Sequence, residues 1–191
     1  ISMAEIRLCE VLSRRGLPEQ AIEGYERLSR LYEEVGDRSG TAMVHYRMGD
    51  LFRAGGQTDR ALDSLQKALD ISKDLEKSSL TAKIMGQLGS VYTQRGEDER
   101  ALELFEQALP IAEGLGEKSL VALILGSIGD YHHARGNIDR SLAFLKRSRS
   151  MHQELGEKRL VAFATTKMSA PYIRRGDYDR ALACLKETLT I

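Results

Sequence analysis

The stretch Leu88–Ala108, LGSVYTQRGEDERALELFEQA, reads as two helices folded back on a single glycine. Leu80, Ile84, Leu88, Val91 and Tyr92 recur at the spacing of one helix face, which predicts an amphipathic helix over roughly residues 78–94. Gly96 then permits a tight turn. Beyond it Ala101, Leu102, Phe105, Ala108, Leu109 and Ala112 line one face of a second helix, predicted over roughly residues 98–114.

The same pattern runs through the whole chain. Gly16, Gly56, Gly96, Gly136 and Gly176 stand 40 residues apart. Glu19, Asp59, Glu99, Asp139 and Asp179 follow in register, then Ala21, Ala61, Ala101, Ser141 and Ala181. Tyr25, Leu65, Phe105, Leu145 and Leu185 come next, while Cys9, Gly49, Gly89, Gly129 and Ser169 are in phase upstream. A fixed period of this length marks a protein of stacked repeats. The expected organisation is one all-α array over residues 1–191, a right-handed α-solenoid of five helix-turn-helix units at about 1–37, 38–77, 78–117, 118–157 and 158–191.

Local chemistry agrees with the helix boundaries. Acidic residues open each second helix, where the dipole is positive, and Arg15, Arg95, Arg135 and Arg175 close first helices, where it is negative. Pro18 suits the first position of a helix. Gly36, Gly116 and Gly156 are C-terminal glycines of second helices, a pattern that Glu76 breaks. Gly49, Gly89 and Gly129 lie in mid-helix, where glycine costs about 1 kcal/mol relative to alanine. They are expected to let the two helices of a unit approach closely, with Ala61 and Ala101 as small partners opposite. Pro110 and Pro171 fall inside predicted helices and are expected to kink them or end them early.

Composition narrows the functional classes. Hydrophobic residues make up 42% and charged residues 29%, a soluble globular balance rather than a disordered one. Lys plus Arg and Asp plus Glu number 28 each, so the basic excess typical of nucleic-acid binding is missing. No run approaches the ~20 apolar residues of a membrane span. Cys9 and Cys184, with no CxxC neighbour, read as reduced thiols of a cytoplasmic protein. The chain begins with Ile1, not Met, so the lack of a visible signal peptide decides nothing.

No catalytic set emerges, and no cofactor or metal is expected. Gly114-Leu115-Gly116-Glu117-Lys118-Ser119 superficially resembles a phosphate loop, but it lacks the required glycine spacing and is in phase with Val35-Gly36-Asp37-Arg38. It reads as an inter-repeat turn. His132 and His133 are adjacent on a helix and face different directions, and His132 occupies the slot of Phe52 and Tyr92.

Leu88-Gly89, Tyr92, Gly96, Ala101, Phe105 and Ala108 are spaced as in the tetratricopeptide consensus, and the chain resembles that repeat family over essentially its full length. Two departures stand out. The usual Trp early in the first helix is replaced by His45, Met85, Leu125 and Thr165, and the unit is 40 residues rather than 34. Such long units resemble those of kinesin light chains, spindle-orientation adaptors and bacterial signalling-protein arrays. The resemblance implies a scaffold or adaptor that binds a peptide or helix of another protein along a concave groove lined by first helices. Carried over by position, that lining is Arg7, Glu10 and Arg14; Met43, Tyr46, Arg47, Asp50 and Arg53; Lys83, Gln87, Ser90 and Thr93; Leu123, Ser127, Asp130 and His133; and Phe163, Lys167 and Arg174.

The carboxylate clamp of chaperone-binding relatives is not reproduced, because its Asn positions hold Glu10, Asp50, Ser90, Asp130 and Ala170. Arg47 and Arg53 are expected to pair with acidic side chains of the partner, with Met43, Tyr46 and Phe163 as apolar anchors. A peptide-sensing module of a larger signalling protein is the alternative. Ile1 and Ile191 both fall in phase with positions inside helices, so a fragment of a longer array, or self-association through uncapped ends, is also expected.

Overall fold

The computed structural model describes residues 3–73 and 78–190. Among them the chain forms ten α-helices and no strand: α1 Met3–Arg14, α2 Pro18–Glu34, α3 Arg38–Ala54, α4 Thr58–Lys73, α5 Ser79–Arg95, α6 Asp98–Gly114, α7 Lys118–Ala134, α8 Ile138–Glu154, α9 Lys158–Arg175 and α10 Tyr178–Thr188. The predicted pair at 78–94 and 98–114 is α5 and α6. The fold class is therefore all-α, of helix-turn-helix repeats as in an α-solenoid. Two compact units divide it, Ile1–Glu97 with α1 to α5 and Asp98–Ile191 with α6 to α10. Ile1, Glu76 and Ile191, on which parts of the sequence reading rest, lie outside the described residues.

One turn geometry recurs eight times among the described residues. After α5, Gly96 sits at φ +78°, its N–H bonds the Thr93 carbonyl at 3.0 Å, and the Glu97 N–H bonds the Tyr92 carbonyl at 2.9 Å. These paired bonds satisfy carbonyls that the helix leaves orphaned, and the left-handed backbone they require is where glycine alone is unstrained. The same pair of bonds closes α1, α3, α7 and α9 at Gly16, Gly56, Gly136 and Gly176, and α2, α6 and α8 at Gly36, Gly116 and Gly156. Entry into the following helix is capped in places by side chains. Asp37 accepts from the Gly40 N–H at 2.8 Å at the start of α3, and Ser78 accepts from the Thr81 N–H at 3.3 Å at the start of α5.

Close approach within a hairpin accounts for the mid-helix glycines Gly49 and Gly129. A Cβ on Gly49 would stand 2.5 Å from Leu65 Cγ and 3.4 Å from the Ala61 carbonyl oxygen. On Gly129 it would stand 2.8 Å from Leu145 Cγ and 3.3 Å from the Ser141 oxygen. The expected small residues opposite are present, but the volume is taken by the leucine four residues on. In the first repeat the arrangement is inverted. Cys9 fills the glycine slot, and the relief appears on α2 as Gly24, whose Cβ would meet Cys9 Sγ at 2.5 Å. Burial pushes the Cys9 thiol up, and Cys184 likewise.

Periodic apolar slots make the core. Tyr25, Val44, Leu65, Ile84 and Leu88 are buried in the first unit, and Phe105, Ile124, Leu125 and Leu145 in the second. The slot usually held by Trp is filled by buried Leu125 and Thr165 in the second unit; in the first, half-buried His45 shares a hydrogen bond with Ser29. Neither internal proline ends its helix, contrary to one of the sequence expectations. α6 continues past Pro110 to Gly114, and α9 past Pro171 to Arg175. Each proline removes one N–H, and four residues of helix still follow it. Pro110 is exposed.

Among the described residues no helix is long and apolar enough to cross a membrane. At the joint of α8 and α9, buried His152 Nδ1 lies 2.6 Å from Glu157 Oε2. The hydrogen bond to His152, aided by one from Ser119, holds the Glu157 carboxyl below the ordinary glutamate value.

Two measurements test this packing. Gly49→Ala is expected to destabilise the chain by about 1–3 kcal/mol through overpacking. Gly114→Ala, with nothing within 4 Å of its added Cβ, is expected to stabilise by about 0.5–1 kcal/mol; urea unfolding followed by circular dichroism reads both. The depressed carboxyl of Glu157 stabilises the fold above the ordinary glutamate pKa, and this is lost as pH falls through its lower folded value. Glu157→Gln is therefore expected to be less stable than wild type at neutral pH, with the difference closing in acid; a difference that grows on acidification contradicts the assignment.

Candidate functional site

The faces expected to bind a partner divide between the two compact units. On the first, the structure brings half of the named side chains into contact. Arg47 on α3 pairs with Glu10 on α1 at 3.0 Å. Asp50 accepts from Arg53 on its own helix at 2.8 Å and from Gln87 Nε2 on α5 at 2.9 Å. Tyr46 lies beside them, with its hydroxyl pushed up mainly by burial and Arg47 5.8 Å from its ring centroid. Arg7 and Arg14 are exposed, and Met43 and Lys83 are half-buried.

The second unit repeats the theme. Lys167 on α9 reaches Asp130 on α7 at 2.6 Å, and its ammonium stands 4.5 Å from the centroid of Phe163. Phe163 is 55% exposed, and Leu123, one repeat earlier in the same slot, is exposed as well. Arg174 donates to the His133 carbonyl at 2.6 Å. Hydroxyls at the other predicted positions are turned back onto their own helices. Ser90 bonds the Gly86 carbonyl, Thr93 that of Gly89, and Ser127 that of Leu123.

These contacts form a rule. Arg47–Glu10, Gln87–Asp50 and Lys167–Asp130 each join a first helix to the first helix of the preceding repeat, 37 residues back. A second ladder escaped the sequence reading. Arg95 pairs with Asp59 at 3.5 Å, Arg135 with Glu99, and Arg175 with Asp139. The end of each of these first helices is thereby tied to the start of the second helix before it, 36 residues back. The sequence had assigned both sets to the helix dipoles; their shared 40-residue phase was the available signal that they also meet. Pairs this exposed contribute about 0–1 kcal/mol each, so the ladders set register more than stability.

Nothing in the described residues gathers three or more His, Cys, Asp or Glu side chains into a metal-binding group. His132 instead stacks on Phe144, with centroids 5.4 Å apart and planes at 18°. A double-mutant cycle on Asp130 and Lys167, read by urea unfolding, is expected to give a coupling of about 0.2–1 kcal/mol; zero coupling would remove that rung.

Comparison with known proteins gives the family. No curated protein matches the chain by sequence. Solved structures match it closely in fold. BtubC (BKLC) from P. vanneervenii superposes with a TM-score of 0.73 at 19% identity, over 98% of this chain and 86% of that one. A kinesin light chain candidate from Podosopora anserina, made of nearly identical TPR-like repeats, gives a TM-score of 0.76 at 16% identity, over 98% and 92%. A Rap protein complexed with competence and sporulation factor gives 0.83 at 18% identity, over 100% of this chain and 54% of that one. Likeness at such identities concerns the fold. The family is settled by the sequence itself: the tetratricopeptide repeat model matches residues 1–74, 66–114 and 120–191, and with the hairpins, turns and phase described above the chain belongs to the tetratricopeptide repeat family.

Proposed function

We propose that the chain is a protein-interaction scaffold that holds a segment of a partner protein on its first-helix faces. Membership of the repeat family supports the general role. The observation that carries the finer reading is the contrast between the two kinds of surface on those faces. Charged side chains there are held in place by neighbours, as with Arg47 on Glu10 and Lys167 on Asp130, whereas Leu123 and Phe163 are large apolar groups left in water. Fixed polar groups around exposed apolar anchors are the anatomy of a recognition surface.

Partner segments are proposed to place apolar side chains on Met43 and Tyr46 of the first unit, or on Leu123 and Phe163 of the second. Carboxylates of a segment on the first unit would exchange with Glu10 and Asp50 for Arg47 and Arg53. These pairs are part-exposed and individually weak, so an acidic ligand displaces them at small cost, and the guanidinium groups are already oriented for it. Binding of this kind weakens as salt rises. The same faces suit a regulatory module that responds to a peptide; the likeness to a Rap protein solved with a bound factor favours that second reading. No catalysis is assigned to these residues.

Selection from a random peptide display library on the wild-type chain tests the assignment. Enriched peptides are expected to carry acidic and apolar residues, those on the first unit losing at least tenfold in affinity on Arg47→Glu/Arg53→Glu and those on the second unit on Phe163→Glu. Peptides that bind these variants as tightly as wild type place the partner elsewhere.

A further inference from the structure

One groove of the first unit is hollow where its counterpart in the second unit is filled. Between α2, α3 and α4 lies a cavity of about 390 Å³, lined by buried Met48, Phe52 and Ser64 and by half-buried His45. The equivalent helices of the second unit are α6, α7 and α8. There Leu109, Leu125 and Phe144 stand in the slots of Ser29, His45 and Ser64. Phe144 stacks on His132, which holds the slot of Phe52, with centroids 5.4 Å apart and planes at 18°. The ring that fills the second groove is replaced in the first by the small side chain of Ser64. The volume falls in the range of roughly 300–1,000 Å³ typical of small-molecule sites.

The chemistry left over in this cavity is that of an acceptor. Ser29 donates its hydroxyl proton to Glu33 Oε1 at 3.2 Å, and its oxygen lies 3.3 Å from His45 Nε2. A hydroxyl has one proton to give, so Nε2–H donates to that oxygen and Nδ1 keeps a bare lone pair. Burial first, and then the charge of Lys67, hold the His45 ring below the ordinary histidine value, which keeps it neutral. Nδ1 is itself buried and has no hydrogen-bond partner among the described residues. A buried acceptor in that state favours a donor placed beside it. The charges around it are mostly engaged. Asp63 pairs with Lys67 at 3.0 Å and Asp59 with Arg95 at 3.5 Å, while Arg60 bonds Gln57 and lies 4.1 Å over the Phe52 ring. The exposed carboxylate of Glu26, on the same cavity, has no partner among the described residues. We propose that this cavity binds a small aromatic amine, its ring in the place that Phe144 fills in the second groove and its ammonium on Glu26, with His45 as a further acceptor. The inference is independent of the partner faces proposed above, because none of the residues lining the cavity belongs to them.

Isothermal titration calorimetry of the 191-residue chain with phenethylamine tests it. One molecule is expected to bind per chain. Its affinity is expected to exceed about tenfold that of butylamine, which has the charge without the ring, and that of benzyl alcohol, which has the ring without the charge. Glu26→Gln is expected to weaken binding about tenfold, as the loss of one charge-assisted hydrogen bond does. His45→Leu, which installs the residue of the second groove, is expected to weaken it as well. Ser64→Phe, which supplies the ring from within, is expected to abolish binding while circular dichroism shows the helices intact. Phenethylamine that does not bind, equal affinity for the three ligands, or binding that survives Ser64→Phe would each overturn the proposal. Glu26 is exposed, so its variant is readable even where Ser64→Phe fails to fold, and unchanged affinity in Glu26→Gln is equally fatal. A peptide carrying Phe beside Lys that binds where phenethylamine does not would also overturn it, and would give the cavity to a side chain of a partner protein.

Discussion

A two-helix repeat has more apolar surface than it can cover by folding on itself, and the rest of this structure follows from that excess. Closing α3 on α4 buries Leu65 against the backbone at Gly49, and closing α7 on α8 buries Leu145 against Gly129. The outer apolar slots of α8 remain, and they become interior only when α9 is laid across them. Burial of a leucine is worth about 1.5–3 kcal/mol, so each hairpin depends on its neighbour for a large part of its stability. Whatever stands beside a hairpin, another repeat or another molecule, is answering the same demand.

Polar contacts then decide how the hairpins are set beside one another. Apolar packing is non-directional and tolerates sliding, whereas an arginine and a carboxylate on facing helices meet in only one register. The two ladders act on different parts of the repeat. One links first helices to first helices through Arg47–Glu10, Gln87–Asp50 and Lys167–Asp130, on the faces read here as partner-binding. The other links helix ends across the turn region through Arg95, Arg135 and Arg175. Because the first ladder is built from the residues proposed for recognition, a ligand on those faces would compete with the contacts that set repeat register.

Much of the fold was legible in the residues because its determinants are local and repeated five times. The glycine that turns each hairpin, the acid that opens each second helix and the aromatic or leucine slot between them recur at one interval, so noise at any single position averages out. Of the two outcomes expected at Pro110 and Pro171, an early end does not occur, because a local rule about helix breakers ignores how much helix follows. The candidate faces were legible only as positions. Their chemistry was not, because a hydroxyl such as Ser90 or Thr93 looks like a ligand donor in sequence and turns out to be bonded to its own helix.

The sequence by itself determined the helices, their pairing into hairpins, the repeat family and which slots are apolar, since each depends on residues within one repeat. Only the tertiary structure decided that Cys9 is accommodated by Gly24 and that arginines assigned to helix dipoles are tied to acids of the preceding repeat. It alone also decided which apolar slots stay in water. Those outcomes depend on side chains as far as 36 residues apart meeting in space, beyond the reach of a reading that takes one helix at a time.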